Sequence, residues 1–156
     1  MIVNWQWTTF SELSPRALYQ ILQLRQDVFV LEQQCLYADI DDLDSVSYHL
    51  LGLNQENELI AYLRVVEPTK KYAEPSIGRV ATCRSHRGKG LGKRLMQRGI
   101  AETRTRFPTE GIRISAQLYL NSFYQKFGFQ TTSKPYLEDG IPHVEMLLEP
   151  ITFACV

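Results

Sequence analysis

A glycine-rich stretch near the middle of this 156-residue chain constrains the fold more than any other feature. Gly88, Gly90 and Gly92 follow an apolar, strand-like run and precede a run with helical spacing. Glycine adopts backbone angles that other residues avoid, and without a Cβ it lets a ligand approach the main chain closely. The start of the following helix adds the positive end of a dipole. The stretch therefore predicts a strand, loop and helix that together bind a phosphate.

Two other phosphate-binding loops do not match this spacing. In a Walker A loop the last glycine comes one residue later than Gly92, and Arg94 stands where the loop needs a hydroxyl. A dinucleotide-binding loop also has its third glycine one residue later and lies near the start of a βαβ unit. Neither ATP or GTP binding through a Walker A loop nor a Rossmann fold is expected.

Composition and charge narrow the class of protein. Seventeen basic and 17 acidic residues cancel, so no nucleic-acid partner is expected. No apolar run approaches the roughly 20 residues of a membrane span, and the N-terminus lacks the pattern of a signal peptide. We expect a single domain over residues 1–156, located in the cytoplasm and without a membrane partner.

The charges are nevertheless segregated along the chain. Only basic charges lie between Pro75 and Ala101, and only acidic charges between Gln26 and Leu63. The basic segment suits a polyanionic cofactor. The acidic segment is either a site that attracts a cationic amine or a solvated surface.

Cysteine and aspartate spacing predicts no metal site. Cys35, Cys83 and Cys155 lack C-x-x-C spacing, so free thiols are expected. The aspartates between Asp39 and Asp44 do not form a calcium loop, because the glycine and glutamate of that loop are missing.

Hydrophobic periodicity predicts a mixed order of strands and helices. Ser14 and Pro15 begin a helix that extends to about residue 31, and Leu91 begins a second helix that ends near residue 106. A short helix is expected over 121–127 and an irregular loop from Gln33 to Ser45. Strand-like runs cover 3–7, 46–53, 58–66, 76–82, 111–118, 129–133 and 143–148. The expected fold is α/β (α+β), with one mixed sheet of six to seven strands flanked by helices.

Two segments of the second half resemble motifs of the GNAT acetyltransferase superfamily. Arg87 to Gly92 is similar to its pyrophosphate loop, Arg/Gln-x-x-Gly-x-Gly/Ala, and Phe123 to Phe129 is similar to its Phe-Tyr-x-x-x-Gly-Phe motif. In the first half, Leu24 to Asp41, with His49 beyond, resembles the ElaA-type acetyltransferases. The resemblance covers nearly the whole chain, and it implies a GNAT-like fold with a splayed strand pair that binds acetyl-CoA.

The resemblance also implies roles for individual residues. The backbone of Val80 and Thr82 would lie along the pantetheine arm of acetyl-CoA. Gln117 replaces an asparagine of the wider family, and its amide would still reach the pantetheine. Tyr124 matches a tyrosine that protonates the departing thiolate. The pyrophosphate would be bound by the backbone of Arg87, Gly88, Lys89, Gly90, Leu91 and Gly92.

The proton acceptor for an attacking amine is left open by the sequence. Groups able to take a proton are carried by Glu32, Asp39, Asp41, His49 and His143. Each of these residues is equally suited to a structural role, such as a salt bridge or a core hydrogen bond. Cys35 is either a nucleophile or a buried, inert thiol, and the lack of Cys-His-Asp spacing favours the inert thiol.

The expected activity is transfer of an acetyl group from acetyl-CoA to a small-molecule or peptide amine, in a ternary complex. The alternative is a non-catalytic acyl-CoA-binding or sensing module. A homodimer formed through a strand edge near the C-terminus is a further hypothesis.

Overall fold

A computed structural model of the chain describes residues 1–152, so Cys155 lies outside the described residues. One mixed sheet contains β1 Asn4–Thr9, β2 Ser47–Leu53, β3 Leu59–Val66, β4 Ser76–Thr82, β5 Ile112–Gln117, β6 Gln130–Thr131, β7 Tyr136–Glu138 and β8 Ile141–Leu148. The helices are α1 Pro15–Arg25, α2 Leu91–Arg106 and α3 Asn121–Gln125. The expected mixed α/β fold is confirmed, and the sheet has eight strands rather than six to seven.

Two antiparallel halves make up this sheet, whose main path runs β1-β2-β3-β4-β5-β8-β6, with β7 also paired to β8. The two halves meet at β4 and β5, which are parallel and paired only at Ser76 and Arg113. The crossover between these strands is α2, as a parallel pair requires. Beyond the single pair the two strands separate, and a gap opens in the middle of the sheet.

A β-bulge in β4 accompanies this gap. Opposite Leu63 of β3, the strand places two residues, Arg79 and Val80, where a regular ladder has one. Arg79 has a φ of 52°, a left-handed conformation that is unfavourable for a residue with a side chain. A bulge bends its strand and increases the local twist. The bulge therefore turns the end of β4 away from the neighbouring β5.

The helices cover both faces of the sheet. On one face, α2 and α3 pack over the larger apolar core, and on the other α1 packs over a smaller core around Tyr62. The start of α1 is as predicted, because the Ser14 hydroxyl accepts the N–H of Ala17 at 3.1 Å and Pro15 opens the first turn. The helix then continues as a π-helical segment, Gln26–Glu32, close to its predicted end.

The strand that sequence analysis missed is β7. Asp139 and Gly140 both have positive φ, 51° and 77°, which is the pattern of a type I′ hairpin turn. This turn joins β7 to β8, and β8 begins at Ile141, two residues before its predicted start. The sheet edge near the C-terminus is consequently made of β6 and β7, which have only two and three residues. The homodimer stays a prediction.

Candidate active site

A cavity of about 290 Å³ occupies the gap between β4 and β5. Its other walls are the end of the π-helical segment, the loop from Gln33 to Leu43 and the hairpin formed by β7 and β8. Several residues singled out from the sequence line it: Cys35, Asp41, Val80, Gln117, Tyr124 and His143. The fold therefore collects residues that are more than 100 positions apart in the chain.

Side chains reach this cavity from opposite faces of the sheet. On β5 and β8, Ile114 and Val144 belong to the larger core beneath α2, together with Tyr124. Successive residues of a strand point to opposite faces. Ser115 of β5 and His143 of β8 therefore point to the other side. We call the side of the sheet beneath α2, which carries Tyr124, the α2 face. We call the opposite side, which carries Ser115 and His143, the α1 face.

The glycine loop forms an open turn at the start of α2. Gly88 and Gly90 have φ of 78° and 73°, and Gly90 is the N-cap of the helix. Within residues 1–152, the backbone N–H groups from Gly88 to Gly92 donate to no other group. The side chain of Leu91 is buried and fixes the first turn in the core. These are the features that a helix N-terminus offers to a phosphate.

Gly92 needs a separate explanation, because its φ is not positive. A Cβ built on Gly92 would meet nothing within 4 Å, so the surrounding protein does not require a glycine there. Glycine also lowers helix stability relative to alanine. The missing Cβ keeps the space above the helix N-terminus free, and this is the space that a bound phosphate would fill.

Arg87 connects the glycine loop to the π-helical segment and to the end of β4. Its guanidinium forms an ion pair with Glu32 and donates to the Thr82 carbonyl at 3.0 and 3.2 Å. Hydrogen bonding from Arg87 lowers the pKa of Glu32. Other cations of this region have no carboxylate within 4.0 Å among residues 1–152: Arg84, Lys89 and Lys93. The basic segment therefore keeps charge available for an anion.

Tyr124 presents a neutral hydroxyl to the cavity. Its ring packs edge-on against Phe123 and Phe129, and the residue is 7% exposed. Burial raises the pKa of Tyr124 to about 12. Among the described residues, the hydroxyl makes no hydrogen bond to another group. Tyr124 is thus both a core aromatic residue and a proton carrier without a protein partner.

The three residues expected along the pantetheine lie at different depths. Val80, the second residue of the bulge, lines the cavity. Gln117 also lines it, on the α1 face, and donates from its amide to the Gln33 side chain at 3.1 Å. Thr82 lies beyond the cavity, and its carbonyl already accepts from Arg87. Their roles toward a cofactor stay predictions.

His49 lies in the core and away from the cavity. It is fully buried, and because a carbonyl only accepts, Nε2 donates to the Asp44 carbonyl at 3.0 Å. Its Nδ1 then accepts from the Tyr62 hydroxyl at 2.8 Å. Burial lowers the pKa of His49. Both ring nitrogens are engaged, so this histidine has a structural role.

The acidic loop is bound to the sheet by ion pairs. Three buried or partly buried arginines face three aspartates at 2.7 to 3.3 Å: Arg25, Arg64 and Arg79 with Asp39, Asp41 and Asp44. We call this set the arginine–aspartate network. It connects α1, β3 and the bulge of β4 to the loop that forms one wall of the cavity. These carboxylates are paired within the protein, which favours a structural role for this part of the acidic segment.

Asp39 and Asp41 are poorly placed to accept a proton. Arg64 donates to both carboxylate oxygens of Asp41 at 2.7 Å. Burial by itself would raise the pKa of Asp41, but the hydrogen bonds from Arg64 lower it to about 2. Asp39 accepts from Arg25 at 2.8 Å and from Arg79 at 2.7 Å.

His143 is held differently, with one ring nitrogen open. Its Nδ1 lies 2.7 Å from the Ile141 carbonyl, and its Nε2 lies 3.5 Å from a carboxylate oxygen of Glu138. The same oxygen of Glu138 accepts from the Ser115 hydroxyl at 2.9 Å. The Tyr136 hydroxyl lies 2.5 Å from Ser115. Sequence analysis missed Ser115, Tyr136 and Glu138, although the Asp-Gly turn signal would have indicated the hairpin that carries two of them.

Cys35 has the surroundings of an inert thiol. It is buried, and its sulfur lies 3.6 Å from the Gln33 carbonyl and 4.0 Å from the Asp139 carbonyl. Carbonyls only accept, so the thiol donates and is protonated. Within residues 1–152 no imidazole is hydrogen-bonded to the sulfur. The favoured interpretation from the sequence agrees with this geometry.

Comparison with known proteins shows the family. The acetyltransferase (GNAT) domain model matches residues 13–150 of this sequence. The chain belongs to the GNAT acetyltransferase family. It is 40% identical to protein ElaA of Escherichia coli (strain K12) over 152 residues, which cover 96% of this chain and 99% of ElaA. The predicted resemblance to this family, and to its ElaA-type members, is confirmed.

Solved structures agree with this GNAT assignment. The crystal structure of Escherichia coli ElaA superposes with a TM-score of 0.89 at 39% identity, over 95% of this chain and 100% of that one. An acyl-CoA N-acyltransferase from Pseudomonas aeruginosa gives 0.90 at 36% identity, over 94% and 99%. An aminoglycoside 6′-N-acetyltransferase complexed with coenzyme A gives 0.71 at 15% identity, over 96% and 99%, and shares the fold. None of the helices of this GNAT chain in residues 1–152 is long and apolar enough to span a membrane.

Proposed function

We propose that this GNAT protein transfers an acetyl group from acetyl-CoA to an amine, by direct attack in a ternary complex. The observation that carries the proposal is the gap between β4 and β5. An open anion site lies where α2 begins beside it, and the hydroxyl of Tyr124 lines its interior. Membership of the GNAT family and the coenzyme A found in a protein of the same fold support an acyl-CoA as donor.

Each part of acetyl-CoA has a group of residues suited to bind it. The N–H groups from Gly88 to Gly92 would bind the pyrophosphate, with Lys89 and Lys93 nearby to balance its charge. The bulged end of β4, including Val80, has backbone groups that β5 does not pair with, and these would bind the amides of the pantetheine arm. Acetyl-CoA supplies a thioester, whose carbonyl carbon an amine attacks.

Tyr124 would supply the proton that the leaving group needs. When the new C–N bond forms and the C–S bond breaks, the sulfur leaves as a thiolate and takes the hydroxyl proton of Tyr124. The raised pKa of Tyr124, about 12, keeps the phenol protonated before the reaction. The same burial disfavours a thiolate at this position, which drives the proton toward sulfur. General acid catalysis of this kind contributes a factor of about 10² to 10⁴.

The first test is isothermal titration of the protein with acetyl-CoA, beside CoA, NAD and ATP. Micromolar binding of the two CoA species alone is expected. In Gly92→Glu, a carboxylate occupies the phosphate space and binding is abolished. The fold persists, because an acidic residue in the first turn favours the helix. The matched control is Gln97→Glu, which adds the same charge to an exposed position further along α2 and leaves binding unchanged.

Turnover is then measured as thiol release with spermidine, kanamycin and a lysine-containing peptide as amine acceptors. Release that requires both acetyl-CoA and an amine is the expected result. Binding of acetyl-CoA without turnover on any amine would favour the acyl-CoA-sensing alternative. Absence of binding by a folded protein would overturn the cofactor assignment itself.

A further inference from the structure

The proposed acetyl transfer still requires one group, an acceptor for the proton of the amine, and we looked for it on the α1 face of the cavity. This inference rests on the proposed function. An amine that attacks a carbonyl becomes positively charged and must lose a proton. Tyr124, on the α2 face, is already protonated and cannot take it. The proton acceptor must therefore be a different group that lines the same cavity.

The hydrogen bond to Ile141 determines which nitrogen of His143 is basic. A carbonyl oxygen only accepts hydrogen bonds, so at 2.7 Å the Nδ1 of His143 must carry the proton. In a neutral imidazole the other nitrogen, Nε2, then has a free lone pair. The ring of Tyr136 stacks on the imidazole at 6.2 Å and an angle of 24°, which holds the ring plane. In its neutral form, His143 therefore presents an unprotonated Nε2 in a fixed orientation.

Glu138 is placed to stabilise the imidazole after it accepts a proton. The 3.5 Å between Nε2 and the Glu138 carboxylate is too long for a good hydrogen bond, but it becomes an ion pair once the imidazole is charged. The Ser115 hydroxyl has one proton, which it donates to Glu138, so the Tyr136 hydroxyl donates to Ser115. This chain of donors holds the carboxylate of Glu138 in place.

The remaining charged groups of the cavity do not compete for this role. Arg79 of β4 is paired with Asp39 and Asp41. Lys71, from the loop between β3 and β4, lines the cavity as a cation, and burial lowers its pKa. Asp139 lies in the turn of the hairpin, where its side chain is exposed. Among the described residues, Glu138 alone has a carboxylate oxygen within 4.0 Å of a ring nitrogen of His143.

We infer that His143 is the proton acceptor of the acetyl transfer and that Glu138 is its positioning residue. The amine nitrogen bonds to the acetyl carbon, its proton moves to Nε2 of His143, and the C–S bond breaks with protonation of the sulfur by Tyr124. The products are an N-acetyl amine and CoA thiol. His143 returns its proton to solvent and Tyr124 regains one, so no further reactant is needed. The amine acceptor accordingly enters along the α1 face.

The decisive experiment is the pH dependence of kcat/KM for His143→Gln, with the acceptor that gives the highest turnover in the amine panel. Glutamine retains a donor for Ile141 but cannot take a proton. We expect kcat/KM to fall by roughly 10²- to 10⁴-fold near neutral pH and the acid limb of the wild-type profile to disappear. Titration with acetyl-CoA should give an unchanged Kd, which shows that the fold and the α2 face are intact.

Glu138→Gln separates positioning from catalysis. It should lower kcat by roughly fivefold, the effect of one partly exposed ion pair, and retain the acid limb. The matched control, Glu110→Gln, makes the same change at an exposed turn and should alter neither quantity. A Glu138→Gln variant that loses the acid limb, while His143→Gln keeps it, would overturn the roles given to the two residues.

A second measurement needs no acceptor. The chain has three histidines, so two-bond ¹H–¹⁵N correlations of the imidazole rings can be assigned by single substitutions. His143 should show its proton on Nδ1 at high pH, whereas His49 should show its proton on Nε2. A proton on Nε2 of neutral His143 would overturn the inference.

The inference and the proposed function can fail separately. A wild-type protein that acetylates amines, beside a His143→Gln variant with an unchanged rate and pH profile, would overturn only the role of His143. A wild-type protein that binds acetyl-CoA and acetylates no amine would overturn both.

Discussion

The two faces that meet at the cavity are constructed by different means. On the α2 face, the anion site is backbone from one short run of sequence, Gly88 to Gly92, and its geometry depends on turn angles and a helix end. On the α1 face, the wall is made of side chains from the loop Gln33 to Leu43, β4, β5 and the β7–β8 hairpin. Arginines of α1, β3 and β4 bind that loop by ion pairs. The proposed cofactor site therefore depends on local backbone conformation, whereas the proposed acceptor site depends on ion pairs between distant residues.

The largest effect should come from the α2 face, where we propose that Tyr124 acts in the chemical step and not in binding. Tyr124→Phe removes only the hydroxyl, so kcat should fall by about 10²- to 10⁴-fold while the Kd for acetyl-CoA stays the same. Steady-state thiol release and titration with acetyl-CoA measure the two quantities. Tyr19→Phe, at a 72% exposed position of α1, is the control and should change neither. An unchanged kcat in Tyr124→Phe would mean that this tyrosine has only a structural role.

On the α1 face, the largest effect should be on stability. Arg64 is 1% exposed and is bound to Asp41 and Asp44, so Arg64→Leu leaves two carboxylates short of a partner. The free energy of unfolding should fall by about 3 kcal/mol, as for other broken buried ion pairs. Urea denaturation followed by circular dichroism measures the loss.

An exposed ion pair provides the control for Arg64. Arg98 pairs with Glu102 one turn along α2, and its side chain is 51% exposed. Arg98→Leu should cost less than about 0.5 kcal/mol. Equal losses in the two variants would mean that the arginine–aspartate network does not hold the cavity wall in the way described above.

Two glycines of the same helix, α2, should respond differently to an added Cβ. A Cβ at Gly99 would lie 2.5 Å from the Leu63 side chain, so Gly99→Ala overpacks the core and should destabilise the protein by about 1–2 kcal/mol. Gly92 has open space, so Gly92→Ala should leave the unfolding free energy unchanged or raise it slightly. Its effect should appear instead as weaker acetyl-CoA binding. If Gly92→Ala bound acetyl-CoA as tightly as wild type, its glycine would need another explanation.

The smallest expected effect is on the stability of the folded protein at acid pH. The pKa of Asp41 is lowered to about 2 from an ordinary value of 3.8, so its ionised form stabilises the folded protein above pH 4, and this contribution is lost as the pH falls toward 2. Asp41→Asn should therefore be less stable than wild type at pH 6, with a difference that shrinks between pH 4 and pH 2. Urea midpoints at several pH values measure this. A difference that stays constant with pH would contradict the assignment.

Sequence analysis predicted most of the fold and the α2 face because the signals there are local. Ser14 and Pro15 begin α1, Leu91 begins α2, and β4 has the predicted bounds, Ser76–Thr82. The glycine loop was recognised because its turn angles and the helix that follows are properties of adjacent residues. Tyr124 was recognised from the motif around it.

Sequence analysis singled out Gln117 and His143 of the α1 face but did not predict the contacts there, because these contacts join distant residues. Arg79 and Asp39 are separated by 40 positions, and nothing in either neighbourhood indicates the other. The bulge at Arg79 likewise has no local signal in the sequence. Glu138 could have been found, since Asp139 and Gly140 form a recognisable hairpin turn that pairs β7 with β8. Recognition of this turn in the sequence would have predicted a carboxylate beside His143.

The gap in the sheet has a consequence for association with other chains. Beyond Ser76 and Arg113, β4 and β5 keep backbone groups that, within residues 1–152, are not paired across the gap. At the rim of a sheet, such groups invite pairing with strands of other molecules and lead to aggregation. Here they lie between two strands of the same sheet and line the cavity. The protein thus keeps an unpaired strand edge inside its sheet and not at the outer edges, where strands of other molecules pair.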